Sequence, residues 1–499
     1  MSTPLKDSKQ TGQEVKNPET APGVDANRQQ EDSWLTPFLI LVITASVSFL
    51  TRITRLGYSN DGTPVFDEKH YAPHAYQMLI NGGLEDNPGY GLVVHPPLGK
   101  MIMALGESVF GFTPIGWRIM AVLSAVVIVT TVTWMLWKLT HSLGATFLAA
   151  VLGNTEVVLV VTSRIGMLDI FLSMFITLGA AFILSDLLSN NQSVPYRHRY
   201  RLALAGIMFG CAMAVKVSGV FYPAVAGIIM VITVLAISRN ARQTLYALGA
   251  GLIFFFIIPS VVFLLSWVPW MGSVNGVSRH SSDTMIQSFL DYQLGISEFH
   301  TSLLTSEGHS HPWESKPWHW LVGLRPMLYY TNKVEAEPLT LIGSGESSEK
   351  IWLFTNPAVW FFLIPVATWM LFGVFKKKIG HSVAFAGMMI GIVPWMVMYD
   401  RTMYLFYAAA IAPFLVMGMA LTVHDMATWV RKYVKKNNKS PLMVNYLYGV
   451  VIVVVTACYV LAAPWIYGAP VSDDIHEKVK FFDAVPSATS SEETSEMTD

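Results

Sequence analysis

Four polar groups in this chain have the residue types and spacing to do chemistry. The first is Phe66-Asp67-Glu68-Lys69-His70. Two adjacent carboxylates can supply a general base and a second group that orients it or accepts a hydrogen bond. The same pair also suits a solvated acidic turn after Asn60-Asp61-Gly62. The second is His95-Pro96-Pro97-Leu98-Gly99-Lys100. Pro-Pro fixes the backbone and opens a helix well, which aims His95 and Lys100 in defined directions; a rigid loop-to-helix junction needs the same residues. The third is a set of cations near the ends of apolar runs: Arg118, Arg164, Lys216 and Arg401. One such cation can snorkel to an interface. Four on one face can grip an anionic head group, because the guanidinium fork matches phosphate. Asp169, five residues after Arg164, is a carboxylate inside an apolar run. It is costly there, and it fits either a functional role or neutralisation of a neighbouring cation. The fourth group comprises Arg279-His280, Glu307, His309, His311, His319 and Arg325. His309-x-His311 has metal-ligand spacing, but spacing fixes no third ligand. Loop structure or contact with an acceptor is the expectation, and no metal site is assigned.

The elements that must position these groups follow from composition. The chain has 499 residues, 53% of them hydrophobic and 13% charged, with a mean hydropathy of +0.45. Soluble domains carry nearer ~25% charged residues, so an ordinary soluble enzyme and a disordered scaffold are both excluded. The net charge of -1 leaves no nucleic-acid footprint. Cys211 and Cys458 both lie in apolar runs, so no disulfide framework or cysteine metal site is expected. There is no phosphate-binding loop of the G-x-x-x-x-G-K-[ST] type, which removes the usual ATP-driven transporters.

Apolar runs at 34–51, 117–137, 143–162, 168–187, 202–215, 217–237, 244–267, 351–374, 382–399, 403–424 and 445–466 predict about eleven membrane helices. Backbone groups in lipid must be satisfied internally, and alternating strands of ~10 residues are missing. The fold class expected is therefore an all-α, multi-spanning bundle. With a cytoplasmic N-terminus, one set of loops holds Lys138, Arg197, Arg199, Arg201, Arg239, Arg242, Lys376–Lys378 and Arg431–Lys439, as the positive-inside rule requires. The opposite turns hold few cations. Residues 1–33 read as a disordered cytoplasmic tail, and 468–499 as an acidic, Ser/Thr-rich tail on the other side. Two outer segments, 52–116 and 268–350, are too long for simple turns. Periodicity in 71–79 and 98–109 predicts short helices at the membrane surface, with Tyr, Met and Leu facing lipid. Trp267, Trp270, Trp313, Trp318 and Trp320 suit an interfacial belt. No pair of matching broken helices marks an inverted-repeat transporter.

At these residues the chain resembles a known family. VFDEKHYAPHAYQML and VVHPPLGKMIMALGESVFGFTPIGWRIM are similar to the first outer loop of protein O-mannosyltransferases. SRIGMLDIFLSMF resembles their Ser-Arg-x-x-x-Leu-Asp segment, AVKVSGVF their Lys-x-x-Gly turn, and HPWESKPWHWLVGLRPMLYY the late outer loop of bacterial members. The second loop is too short for the soluble β-trefoil domain of eukaryotic members, so the resemblance is to the actinobacterial type. It implies a GT-C fold and an extracytoplasmic active site in the cell membrane. The donor implied is polyprenyl phosphate mannose, used as a substrate, with no cofactor. The acceptor implied is Ser or Thr of an unfolded or translocating secreted protein, which brings the protein-translocation machinery in as a neighbour. Transfer would invert the anomeric centre. On this reading Asp67 is the base with Glu68 beside it, and His70 and His95 face the acceptor. Arg118 and Lys100 hold or position the phosphate, with Arg164, Asp169, Lys216, Arg325 and Arg401 as further candidates. Divalent metal dependence is left open. Transfer to a glycolipid or cell-wall glycan keeps the same motifs, and a secondary transporter or flippase keeps the same bundle.

Overall fold

The computed structural model describes residues 25–57, 62–85, 94–189, 199–237, 240–334, 346–440 and 442–479, with side chains from residue 35 onward. In chain order the first elements are α1 (Asp25–Ile53), α2 (Glu68–Ile80), α3 (Leu98–Phe110), α4 (Pro114–Thr140), α5 (Leu143–Thr155), α6 (Val157–Arg164), α7 (Leu168–Leu188) and α8 (Tyr200–Val215). A short 3-10 turn, Val217–Val220, leads to α9 (Phe221–Ile237), α10 (Ala241–Leu252), α11 (Ile258–Ser266), α12 (Val268–Gly272), α13 (Met285–Ser302) and α14 (Pro317–Trp320). Strands β1 (Met327–Val334) and β2 (Ser347–Leu353) follow. After them come α15 (Pro357–Trp360), α16 (Leu363–Phe375), α17 (Ile379–Val397), a 3-10 segment at Leu405–Ala410, α18 (Ala412–Lys436), α19 (Leu442–Tyr467), β3 (Pro470–Ser472) and α20 (Asp473–Lys478).

Every predicted apolar run contains helix, but the count of eleven spans is not confirmed. Among the described residues, eight helices are long and apolar enough to cross a membrane, or nine with one bent pair. The run at 143–162 is that pair, bent by 50° between α5 and α6. Glu156 breaks it. Its carboxylate accepts from Leu159 N at 2.8 Å, capping α6, and from Trp360 Nε1 at 2.7 Å. The run at 202–215 is α8, whose 16 residues rise ~24 Å against a ~30 Å hydrocarbon core. The run at 403–424 divides into the 3-10 segment and α18. The first ten residues of α18 are all buried, while His424, Asp425 and the basic last turns interrupt its apolar run. It is a central packing post against α4, α5, α16, α17 and α19.

Three other expectations are corrected. The helix α1 begins at Asp25, so residues 25–33 are not a disordered tail; residues 1–24 lie outside the described residues. The fold is not wholly α. A three-stranded antiparallel sheet, ordered β1-β2-β3, stands beside the bundle. It pairs Met327 with Leu353 and Ser347 with Ser472. The third strand comes from the segment read as a tail, because Val471 and Ser472 bury against β2; the acidic end of that tail falls in residues 480–499, outside the described residues. The surface helices α2 and α3 are present, but their faces are reassigned. Tyr71, Met78 and Met103 are buried, and Tyr76, Leu79, Ile80, Leu105, Val109 and Phe110 are exposed.

Small residues let the helices approach, as in other membrane bundles where lipid gives no hydrophobic drive between helices. A Cβ at Gly106 would lie 2.3 Å from Gly116 O, so α3 packs directly on the start of α4.

Candidate active site

Asp67 and Glu68 are adjacent, yet they face opposite ways. Phe66 sits at φ +50°, in the left-handed region that costs a non-glycine residue energy. The turn is held by Glu68 N to Val65 O and Lys69 N to Phe66 O, both at 3.0 Å. The Phe66 ring packs against Tyr329 and Phe406, with centroids 5.1 and 6.1 Å away. Glu68 is wholly buried. Arg118 Nε and Nη2 donate to its two oxygens at 2.7 Å each. Val65 N and Gly166 N donate at 3.0 and 2.6 Å. Arg118 Nη1 donates to Leu56 O at 2.9 Å. Glu68 and Arg118 therefore form an internal clamp joining α2, α4 and the α6–α7 link, and neither lines the two cavities that adjoin Asp67 and Lys216.

Asp67 is partly open to a cavity of about 510 Å³. Tyr71 OH, one helical turn on, donates to its Oδ2 at 3.2 Å. Burial pushes its carboxyl up to about 6; Lys216 and His70 pull it down and Asp169 pushes it up. Six histidines line this cavity: His70, His74, His95, His300, His309 and His311. Among the described residues no three His, Cys, Asp or Glu side chains converge as metal ligands, so His309-x-His311 gains no partner.

A second cavity of about 420 Å³ adjoins the first. Its lining is mostly apolar, from Leu172, Val217, Val220, Phe221, Ile390, Trp395, Val397 and Met398. Val217, Val220, Val397 and Met398 are exposed on the bundle surface, so the cavity opens where lipid would lie. Five side chains line both cavities: His95, Lys216, His300, Arg401 and Tyr407. Lys216, at the end of α8, pairs with Asp169 in the first turn of α7 at 2.8 Å. Its ammonium lies 5.2 and 5.4 Å from the rings of Phe406 and Tyr407. Arg401 donates to Tyr407 Oη at 2.6 Å and, through Nη2, to His300 Nδ1 at 3.1 Å. His300 Nε2 donates to Val94 O at 2.8 Å. Burial and the Arg401 charge push the His300 imidazole down to about 4. His95 stacks on His300 with centroids 5.2 Å apart.

The structure thus gathers Asp67, His70, His95, Lys100, Asp169, Lys216 and Arg401 around the two cavities. Lys100 reaches the Asp67 cavity but bonds Glu85, and His74 Nδ1 approaches the same carboxylate at 3.3 Å. The structure does not bring Arg118, Arg164 or Arg325 there. Arg164 Nη1 donates to Arg52 O and Thr54 O at 3.0 and 2.5 Å, and its guanidinium lies 4.3 Å from the Tyr467 ring centroid. It ties α6 to α1 and α19. Arg325 sits at φ +62° and donates from Nε to Glu314 O at 3.1 Å. Arg164 is buried and Arg325 half-buried, and the bonds described brace the chain locally, away from both cavities. Sequence reasoning missed Tyr71, Glu85, His300 and Tyr407. Tyr71 had a usable signal, its i+4 spacing from Asp67; the others are joined to the site only by the fold.

The helical membrane bundle, with its carboxylate at a loop end beside an apolar cavity, has the GT-C fold. Solved structures of similar architecture support the fold. The Saccharomyces cerevisiae protein O-mannosyltransferase Pmt1–Pmt2 complex, bound to its sugar donor, aligns with a TM-score of 0.70, covering 90% of this chain and 92% of that one at 13% identity. The archaeal oligosaccharyltransferase AglB of Archaeoglobus fulgidus aligns at 0.50, covering 89% of this chain and 57% of that one at 14% identity. Residues 94–263 match the family described as dolichyl-phosphate-mannose-protein mannosyltransferase. Residues 285–485 match the C-terminal four-transmembrane region of protein O-mannosyltransferase. The polyprenol-phosphate-mannose–protein mannosyltransferase of Corynebacterium glutamicum is 36% identical over 88% of this chain and 92% of its own length. The protein of the same name from Mycobacterium tuberculosis is 34% identical over 77% of this chain and 81% of its own. The chain belongs to the protein O-mannosyltransferase family of glycosyltransferases.

Proposed function

We propose that this protein transfers mannose from polyprenyl phosphate mannose to a Ser or Thr hydroxyl of a secreted protein, with inversion, on the extracytoplasmic face of the cell membrane. The single observation that carries the reading is the shared wall. Lys216 and Arg401 stand between an apolar cavity that opens toward lipid and a polar cavity that holds Asp67. A lipid phosphate entering from the first would meet both cations. An acceptor in the second would meet the base.

In the step proposed, Asp67 takes the proton of the acceptor hydroxyl. The oxygen attacks the anomeric carbon opposite the phosphate, and the bond from that carbon to the phosphate oxygen breaks. Its electron pair leaves with the lipid phosphate, where Lys216 and Arg401 meet the growing charge. No covalent enzyme intermediate is needed for one inversion. Orientation is supported by charge. Arg199 pairs with Asp186 at the far end of α7 from Asp169, and Lys376–Lys378 and Arg431–Lys436 also lie at the helix ends away from the site. That end is the cytoplasmic one by the positive-inside rule. Unfolded or translocating acceptors, and a neighbouring translocation machinery, fit a site that opens on the opposite side.

The test is an assay with labelled polyprenyl phosphate mannose and a Thr-rich peptide in membranes. Label in the peptide, released as an α-mannoside, is the expected result. Label confined to lipid or glycan would overturn the protein-acceptor reading.

A further inference from the structure

The hexose in transit must lie between the phosphate and the attacking hydroxyl. On the mannosyl-transfer reading, that places it at the wall common to both cavities. The polar side chains of this wall are mostly committed. Lys216 holds Asp169. His300 uses both ring nitrogens, one on Val94 O and one on Arg401. Tyr407 Oη accepts from Arg401. His95 differs. Among the described residues neither of its ring nitrogens has a hydrogen-bond partner, and Nδ1 is shut off from solvent. The ring is fixed in place by stacking on His300 and by Tyr71, whose ring centroid is 6.0 Å away, and the two prolines after it set its backbone. A buried polar group left without a partner is costly, and native sites leave few of them.

We infer that His95 hydrogen-bonds a hydroxyl of the hexose being transferred, and so takes part in selecting the sugar. This rests on the mannosyl-transfer reading and sharpens it. The chemistry suits a neutral partner. Burial, then the charges of Lys216, His300, Lys100 and Arg401, hold the imidazole well below its usual range, so it stays uncharged. An uncharged ring does not compete for the phosphate. It offers one donor and one acceptor to a hydroxyl. The cations on the same wall are left to the phosphate.

The test is a double cycle of enzyme and donor. Wild type and His95→Phe are assayed with lipid phosphate mannose and with its 2-deoxy, 3-deoxy, 4-deoxy and 6-deoxy analogues. His95→Phe keeps a ring against His300 and removes both nitrogens. With the parent donor, kcat/KM falls about tenfold, the loss of one hydrogen bond. With one of the four analogues, wild type and variant become equal, because the bond is already missing. The same tenfold ratio on all four analogues would overturn the inference, as would no loss with the parent. If His95→Phe melts below the assay temperature, the same cycle is run with His95→Asn, whose shorter side chain cannot reach the same hydroxyl, and the same outcomes decide. Failure of wild type to mannosylate the peptide would instead sink the underlying reading, and this one with it.

Discussion

Arg118 separates two accounts of the site. As a phosphate-gripping cation, its loss should weaken donor binding. As half of a buried clamp, its loss should weaken the fold. Arg118 gives Glu68 two bonds of 2.7 Å and Leu56 O one of 2.9 Å. The two side chains are 3% and 0% exposed, so solvent cannot replace what is removed. In Arg118→Ala, the Glu68 carboxylate keeps only the backbone donors of Val65 and Gly166. Removing one partner of a buried pair costs about 3–5 kcal/mol, a large part of the 5–15 kcal/mol typical of a folded domain. The variant should give less folded protein and melt several degrees lower in detergent. In the protein that remains, kcat should fall, because Asp67 is the residue next to the loosened Glu68, while KM for the lipid donor stays near wild type. Glu68→Leu with Arg118→Met should recover much of the melting temperature, since no uncompensated charge is left. Wild-type melting with a tenfold rise in donor KM would refute the clamp and restore the phosphate role.

Asp67→Asn should lower transfer by about 10²–10⁴-fold, the worth of a general base, with unchanged membrane yield and melting. Because burial pushes this carboxyl up to about 6 and only the ionised form accepts a proton, wild-type kcat/KM should fall tenfold per pH unit below about 6; a flat profile down to pH 4 would count against it. Lys216→Met removes the cation that favours ionised Asp67, so the acid limb of that profile should move to higher pH, and an unmoved limb would place Lys216 too far away to matter. Glu107, on α3, is buried with neither carboxylate oxygen bonded among the described residues, and burial pushes it up to about 8. The folded protein then holds a proton that the unfolded chain releases near pH 4.3. Stability contributed at low pH is lost as pH rises from there through about 8. Glu107→Gln, always neutral, should match wild type in melting at about pH 4 and exceed it at about pH 8; parallel pH curves for the two would contradict this.

The local parts of the site were readable because they are written at short range. Phe66–His70 and His95–Lys100 each lie within six residues, and the prolines and the carboxylate pair announce a turn and a helix start. The division of labour inside them was not readable. Asp67 faces the cavity and Glu68 the core because Phe66 takes a left-handed turn and packs on Tyr329, a residue more than 250 positions away. Four cations at helix ends look alike in one dimension. Arg118 finds Glu68 and Arg164 finds the carbonyls of α1, whereas Lys216 and Arg401, bonded to Asp169 and to His300 and Tyr407, also line both cavities.

The order of residues alone makes this a helical membrane protein, since long apolar runs in lipid have no other way to satisfy their backbone. It also determined that a carboxylate-bearing loop sits at the end of the first span, because both facts depend on neighbours along the chain. Long-range packing set which apolar runs break or stop short, added a small sheet beside the bundle, and sorted the charges into those that line the cavities and those that brace the core. Those outcomes turn on groups that meet only through the fold, as Glu156 meets Trp360, Lys216 meets Asp169 and Arg118 meets Glu68, and burial makes the loss of either partner of a charged pair costly.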